Sequence, residues 1–390
     1  MAQPNDSLRL LEADLRALSL QASRVEGGVF GGLFSSGSGP LDPDVRDAAE
    51  HALARLRAGA AVASEPSEEK ASMTATAPAL RAALSACASP RPDVALAGLR
   101  CAQRLVAIGA ALASDDLCAL ADALGADEAD ETEDDDERFD AVATRKAQTL
   151  LQVLELDACF RDERVARRVL AACFRVLAAA NARALRETHE SASRRVVAAE
   201  AAAFRACERA VAAASFGDDD AEEDDGNVDS RFGGTTRSSP IQTTENSREA
   251  FVTTERRVAF DVFCELCDAA AGDAAAGDAD RLPPRFAFDA LTRALLVEPR
   301  ARNAIRGFET AGGAFGVAAI KTRLCAALVT KTFSMASMAS PGRSARRRDS
   351  AAFVAEGRAA TRCAGAFLRF AAPRRREQRE SRDGVAERVS

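Results

Sequence analysis

Tryptophan and tyrosine are absent from this chain of 390 residues, His occurs only at His51 and His189, and Lys only at Lys70, Lys146, Lys321 and Lys331. Each shortage removes a class of function. Phe is the one aromatic, so no basic segment is interleaved with the rings on which single-stranded nucleic acid stacks, and specific reading of RNA or DNA is not expected. An armadillo-type peptide adaptor with a ladder of Asn and Trp is disfavoured by the same absence. Both histidines lie among Arg and Glu with no second His nearby, which reads as solvated surface rather than as a catalytic base or metal ligand. No apolar run approaches the roughly 20 residues needed to cross a bilayer, so membrane contact is expected to be peripheral at most.

What the chain does hold is helix former. Roughly a quarter of it is Ala, the strongest helix former, and a β-rich fold is not expected. Arg supplies nearly all the positive charge, an excess that base composition alone can produce and that is no evidence of a nucleic-acid partner. The formal net charge is −7, but the runs at 127–137 and 218–225 contain nine and seven acids, leaving +9 on the remainder. Charge segregated in this way marks solvated inserts and tails. The ten Cys sit mostly in apolar helical stretches, where free Cys acts as a small hydrophobe, and the polar start at residues 1–6 does not read as a signal peptide. A reducing, cytoplasmic setting is expected.

Along the chain, apolar residues recur at spacings of three and four. Leu8, Leu11, Leu15 and Leu18 form one stripe behind a cap at Asn5, Asp6 or Ser7. Asp42 and Pro43 open a second helix with Val45, Ala49, Leu53 and Leu56 on one face. Residues 25–40, rich in Gly and Ser, read as a loop, and 62–76 as a loose connection. Further helices are expected at 77–88, 92–107, from a cap at Ser114, and at 138–156, 162–180, 191–214, 251–270, 286–297 and 316–333. Serial amphipathic helices with brief turns are what a HEAT- or armadillo-like solenoid requires, because each unit must bury its stripe on a neighbour. The expected fold is therefore an all-α helical solenoid with disordered acidic inserts and a basic tail. Its expected parts are a helical domain at 1–215, a disordered acidic and Ser/Thr-rich linker at 216–248, a helical region at 249–335 and a largely disordered basic tail at 336–390. From residue 343 onward, that tail carries 13 Arg against six acids.

Few residues could carry chemistry. Cys264 and Cys267 have the C-x-x-C spacing of half a zinc site or a redox pair, but no partner Cys lies at comparable spacing. Flanked by Phe260, Phe263 and Leu266, they read as buried helix residues. The glycines between 307 and 316 match neither phosphate-binding pattern, and the acidic runs lack the EF-hand ligand order. No metal and no cofactor are expected. The Arg clusters at 346–348 and 374–376 could meet phosphate or anionic lipid without specificity.

Asp14-Leu-Arg-Ala-Leu-Ser-Leu20, Val45-Arg-Asp-Ala-Ala-Glu50 and Leu53-Ala-Arg-Leu56 occur in that order. They are followed by Leu99-Arg-Cys-Ala-Gln-Arg-Leu105, Lys146-Ala-Gln-Thr-Leu-Leu-Gln-Val-Leu154, Leu170-Ala-Ala-Cys-Phe-Arg175 and Ser193-Arg-Arg-Val-Val197. Together they resemble the dimerisation and cyclophilin-binding domain that begins the large Golgi exchange factors for ARF small GTPases and their Mon-two relatives. Ala259-Phe-Asp-Val-Phe-Cys-Glu-Leu-Cys267 resembles the start of the next, upstream homology domain. The likeness spans most of residues 6–335, and the opening Asp-Leu-Arg-Ala-Leu-Ser fits the Mon-two branch, which lacks the catalytic Sec-seven domain. Arg281-Leu-Pro-Pro284 is similar to the catalytic loop of the exchange factors, with Arg285 where the catalytic glutamate would stand. The later homology box of the upstream domain is missing, and members of the family are much longer.

The resemblance implies a non-catalytic scaffold in vesicle-mediated transport, peripheral on Golgi and endosome membranes. The partners it implies are a second copy, the upstream homology domain, and an ARF-like small GTPase or trafficking proteins. Val196, Val197, Phe204 and Val211, on the last helix before the linker, are the candidate interaction residues. A generic armadillo-like adaptor is the alternative. Far-UV circular dichroism is expected to be dominated by helix, and limited proteolysis to cut first at 125–140 and 216–248; a strand-dominated spectrum would refute the fold class.

Overall fold

The leucine stripes predicted for the first helices are the buried ones. Leu11, Leu15, Leu18 and Ala22 are fully buried on α1 (Pro4–Ser23) and Leu8 is half-buried, while Val45, Ala49, Leu53 and Leu56 are buried on α2 (Pro43–Val62). The computed structural model describes residues 4–24, 42–62, 68–108, 112–126, 136–184, 190–213, 254–271, 282–296, 324–328 and 347–371. Among them there are twelve α-helices, one further helical turn at 324–328 and no strand, so the chain is all-α there. No helix among the described residues is long and apolar enough to cross a membrane. The acidic run from 127 to 135, the glycines at 307–316 and the expected linker at 216–248 lie outside the described residues.

The remaining helices are α3 (Glu68–Cys87), α4 (Pro92–Ala107), α5 (Ser114–Leu124), α6 (Asp136–Leu154), the single turn α7 (Ala158–Arg161), α8 (Glu163–Ala184) and α9 (Glu190–Ala213). After these come α10 (Thr254–Ala271), α11 (Pro284–Leu296) and α12 (Arg347–Ala371). They fall into two compact units, one holding α1–α9 with the first turn of α10 and the other the rest of α10, α11 and α12.

In the larger unit the main packing runs along two rows. Helices α2, α3, α5 and α8 follow one another in one row, and α1, α4, α6 and α9 in the other. Polar pairs give the directions. Glu12 with Arg57 and Ser19 with Glu50 set α1 and α2 antiparallel. Asp115 with Arg164 and Asp122 with Arg168 make α5 and α8 parallel. Asp140 with Arg195 and Leu154 O with Arg209 Nε do the same for α6 and α9. Most of these pairs are solvated and contribute under about 1 kcal/mol each, so they select orientation more than they add stability.

Small residues bring the helices close. An ideal Cβ on Gly98 of α4 would lie 2.5 Å from Ala86 Cβ and 3.0 Å from Ala83 O on α3. Pro92 opens α4 at a position where the missing N–H costs nothing, and Asp116 Oδ2 accepts the Ala113 N–H at 3.2 Å to start α5, so Ala113 rather than Ser114 is the capping residue.

Two expectations are corrected. Helix α3 begins at Glu68 inside the stretch read as a loose connection, and Pro78 lies within it; the Glu-Glu-Lys-Ala start is helix-forming, and the polar composition concealed it. The tail expected to be largely disordered contains α12, whose Ala359, Cys363 and Ala366 are buried at spacings of four and three. That helix packs on α11, where Arg362 Nη2 meets Asp289 Oδ1 at 2.6 Å. Its stripe is made of small residues, which the dense Arg around it masked.

Gly98→Ala is expected to lower the thermal midpoint. Overpacking of this kind costs about 1–3 kcal/mol, against a gain of ~1 kcal/mol in helix propensity. Gly365→Ala on α12, where nothing lies within 4 Å of the added carbon, is expected to stabilise its unit by up to about 1 kcal/mol. Equal responses at the two sites in denaturant unfolding would contradict the close approach of α3 and α4.

Candidate functional site

Helix α9 has no Pro or Gly and is built largely of Ala between Arg and Glu. Its inner side is set by Arg195, Ala199, Ala202, Ala203, Ala206 and Ala210, all buried against α6 and α8. Opposite them the chain presents a stripe at seven-residue spacing: Val197, Phe204 and Val211, each about 20° from the one before.

Exposure falls along this stripe. Val197 is 64% exposed, Phe204 half-buried and Val211 only 5% exposed. Val196 lies to one side of it and is half-buried. The four residues singled out in the sequence therefore do not form one open patch. Val197 is accessible, Val196 and Phe204 are shoulders, and Val211 belongs to the core. Ala201 and Glu208 are exposed beside the stripe, and Arg205 pairs there with Glu155 at 2.8 Å, holding the Glu155 carboxyl below its usual range. This arrangement can bind an apolar partner surface with a charged rim, and no reacting group is part of it.

Sequence reasoning missed a second accessible face. Leu10 and Leu20 of α1 are 47% and 64% exposed, and Ala13 and Ala17 lie exposed between them, opposite the buried Leu11, Leu15 and Leu18. The signal was present: α1 carries leucines on both sides, and only one set can face the core. Among the described residues of this unit, helices α1 and α9 are the first and last of their row.

The other candidates resolve as packing. Cys267 is buried and Cys264 half-buried on α10, beside fully buried Phe260, Phe263 and Leu266. Among the described residues, no group of three or more His, Cys, Asp and Glu side chains is placed to hold a metal. His51 is exposed on α2, and His189 lies outside the described residues. Arg285 is solvated on α11 and lies 3.9 Å from Asp289 one turn on. Arg281 lies outside the described residues.

Burial decides the state of the remaining thiols. It pushes Cys87 and Cys159 up to about 12 and Cys363 up to about 11, and raises Cys101 and Cys173 well above the usual thiol value. A protonated, enclosed thiol is neither a nucleophile nor a metal ligand. Iodoacetamide applied to the native chain at neutral pH is expected to modify exposed Cys325 and to leave these five untouched until denaturant is added. Rapid native labelling of any of the five would contradict a purely packing role.

Comparison of the chain with protein-family models, with characterised proteins and with solved structures finds no match.

Proposed function

We propose that the chain is a HEAT- or armadillo-like helical solenoid that acts as a non-catalytic scaffold, binding a second copy of itself and other proteins through the ends of its helical rows. The observation that carries this reading is the open apolar surface on the two end helices, Val197 on α9 and Leu10 with Leu20 on α1. The two-row order supports the solenoid, since each added helix covers the previous one and leaves its own outer side bare. The resemblance to the Mon-two family supplies the setting: vesicle-mediated transport at the trans-Golgi and endosomes, with peripheral membrane association. An ARF-like small GTPase or the upstream homology domain would be further partners. Arg285, in place of the glutamate, fits a protein without exchange activity.

The exposure gradient on α9 makes the test graded. Light scattering on the whole chain at tens of micromolar is expected to give a mass above that of one copy. Val197→Asp is expected to abolish the association while the helical signal persists. Val211→Asp is expected to unfold the unit, because a charge placed at a buried site has no partner and no solvent. A monomer under these conditions, or association indifferent to Val197→Asp and to Leu20→Asp alike, would remove self-assembly through these faces.

A further inference from the structure

The buried side of α9 is mostly alanine, with Cys207 and Val211 as its larger members. Ala199 and Ala203, Ala202 and Ala206, and Ala206 and Ala210 are each four residues apart, so a shift of one turn, about 5.4 Å, lays alanine where alanine was. Methyl groups on this repeat fill space but distinguish poorly between neighbouring positions, so apolar packing alone defines the register of α9 weakly. Arg195 breaks the repeat. It occupies the place that an alanine would take one turn before Ala199, is 2% exposed, and pairs with Asp140 of α6, which is 6% exposed.

We infer that the buried Arg195–Asp140 pair is a register pin: it fixes the axial position of α9 on α6, and so determines which residues of α9 stand opposite which residues of α6. A slip by one turn leaves the alanine contacts intact but separates two charges that no water can reach, the least favourable of the available arrangements. Two other polar links between α9 and the end of α6 discriminate less. Arg205 meets Glu155 where both are well exposed, so solvent replaces either partner. Arg209 reaches Leu154 O and the ring of Phe160 through a long, partly exposed side chain that can follow a shift. Buried ion pairs are weak sources of net stability, and specification of register is their best-attested use. The inference concerns how α9 is seated and holds whether or not the chain self-associates.

The test separates register from stability in the full-length chain. Asp140→Leu combined with Arg195→Met replaces the pair by apolar groups of similar reach. Glu155→Cys and Arg205→Cys are introduced together into the parent and into this double variant, and disulfide formation between them is followed by mass spectrometry, because the two positions meet at 2.8 Å and face each other only in the native register. In the parent, the 155–205 disulfide is expected to form. In the Leu/Met variant the helical signal and thermal midpoint are expected to hold or rise, while the yield of that disulfide falls and Glu155→Cys couples instead to Ala201→Cys, one turn away. The reversed pair, Asp140→Arg with Arg195→Asp, is expected to restore the 155–205 disulfide. An unchanged yield in the Leu/Met variant would overturn the inference, because packing would then suffice. Loss of helix in that variant would overturn it too, because the pair would then be a source of stability.

Discussion

The larger unit depends on the smallness of its interior side chains. Alanine lines the contacts of α3 with α4 and of α9 with its neighbours, and Gly98 closes the tightest approach. Helices in such contact come close enough for dense packing, but each alanine buries little area and offers little shape. Other features compensate. Leucines on α1, α2, α4 and α6 supply larger buried side chains, ion pairs orient one helix against another, and one buried pair marks the seat of α9.

Arginine takes on a different meaning in this frame. Read as composition, its abundance suggests base bias or a phosphate-seeking surface. In the structure many of these side chains span helix pairs: Arg57 to Glu12, Arg104 to Asp14, Arg164 to Asp115, Arg168 to Asp122, Arg257 to Glu163. A long side chain with a forked head can bridge helices whose contact residues are too short to interlock. The small-residue core and the arginine-rich surface are two sides of one packing solution.

Much of the helical layout was legible because periodicity and punctuation agreed. Asp42-Pro43 and Pro92 mark true starts, and the stripes on α1 and α2 are buried as read apart from half-buried Leu8. What escaped was hidden by composition. The polar start of α3 and the arginines around α12 looked unstructured, although helix formers and a small-residue stripe were there. At the candidate site, the seven-residue spacing of Val197, Phe204 and Val211 was readable, but the loss of exposure along it was not, because that depends on what packs over the far end. Arg195 and Asp140 lie on otherwise apolar helix faces, and nothing in the sequence says that they meet, because they are 55 residues apart on different helices.

The parallel course of α5 and α8 sets two helix beginnings side by side, and with them two partial positive charges from aligned peptide dipoles. The chain answers with acids at that edge: Asp115 and Asp116 on α5, Asp162 and Glu163 at the start of α8. The Asp162 carboxyl is held below its usual range, first by the Ser114 hydroxyl of the neighbouring helix and then by the Arg164 N–H, so it ties the two beginnings together. A carboxyl lowered in the folded state stabilises the fold at neutral pH and ceases to do so as acid protonates it. Acidification therefore loosens this tie between the two helix beginnings, so the packing of α5 beside α8 carries a pH dependence located at one carboxyl.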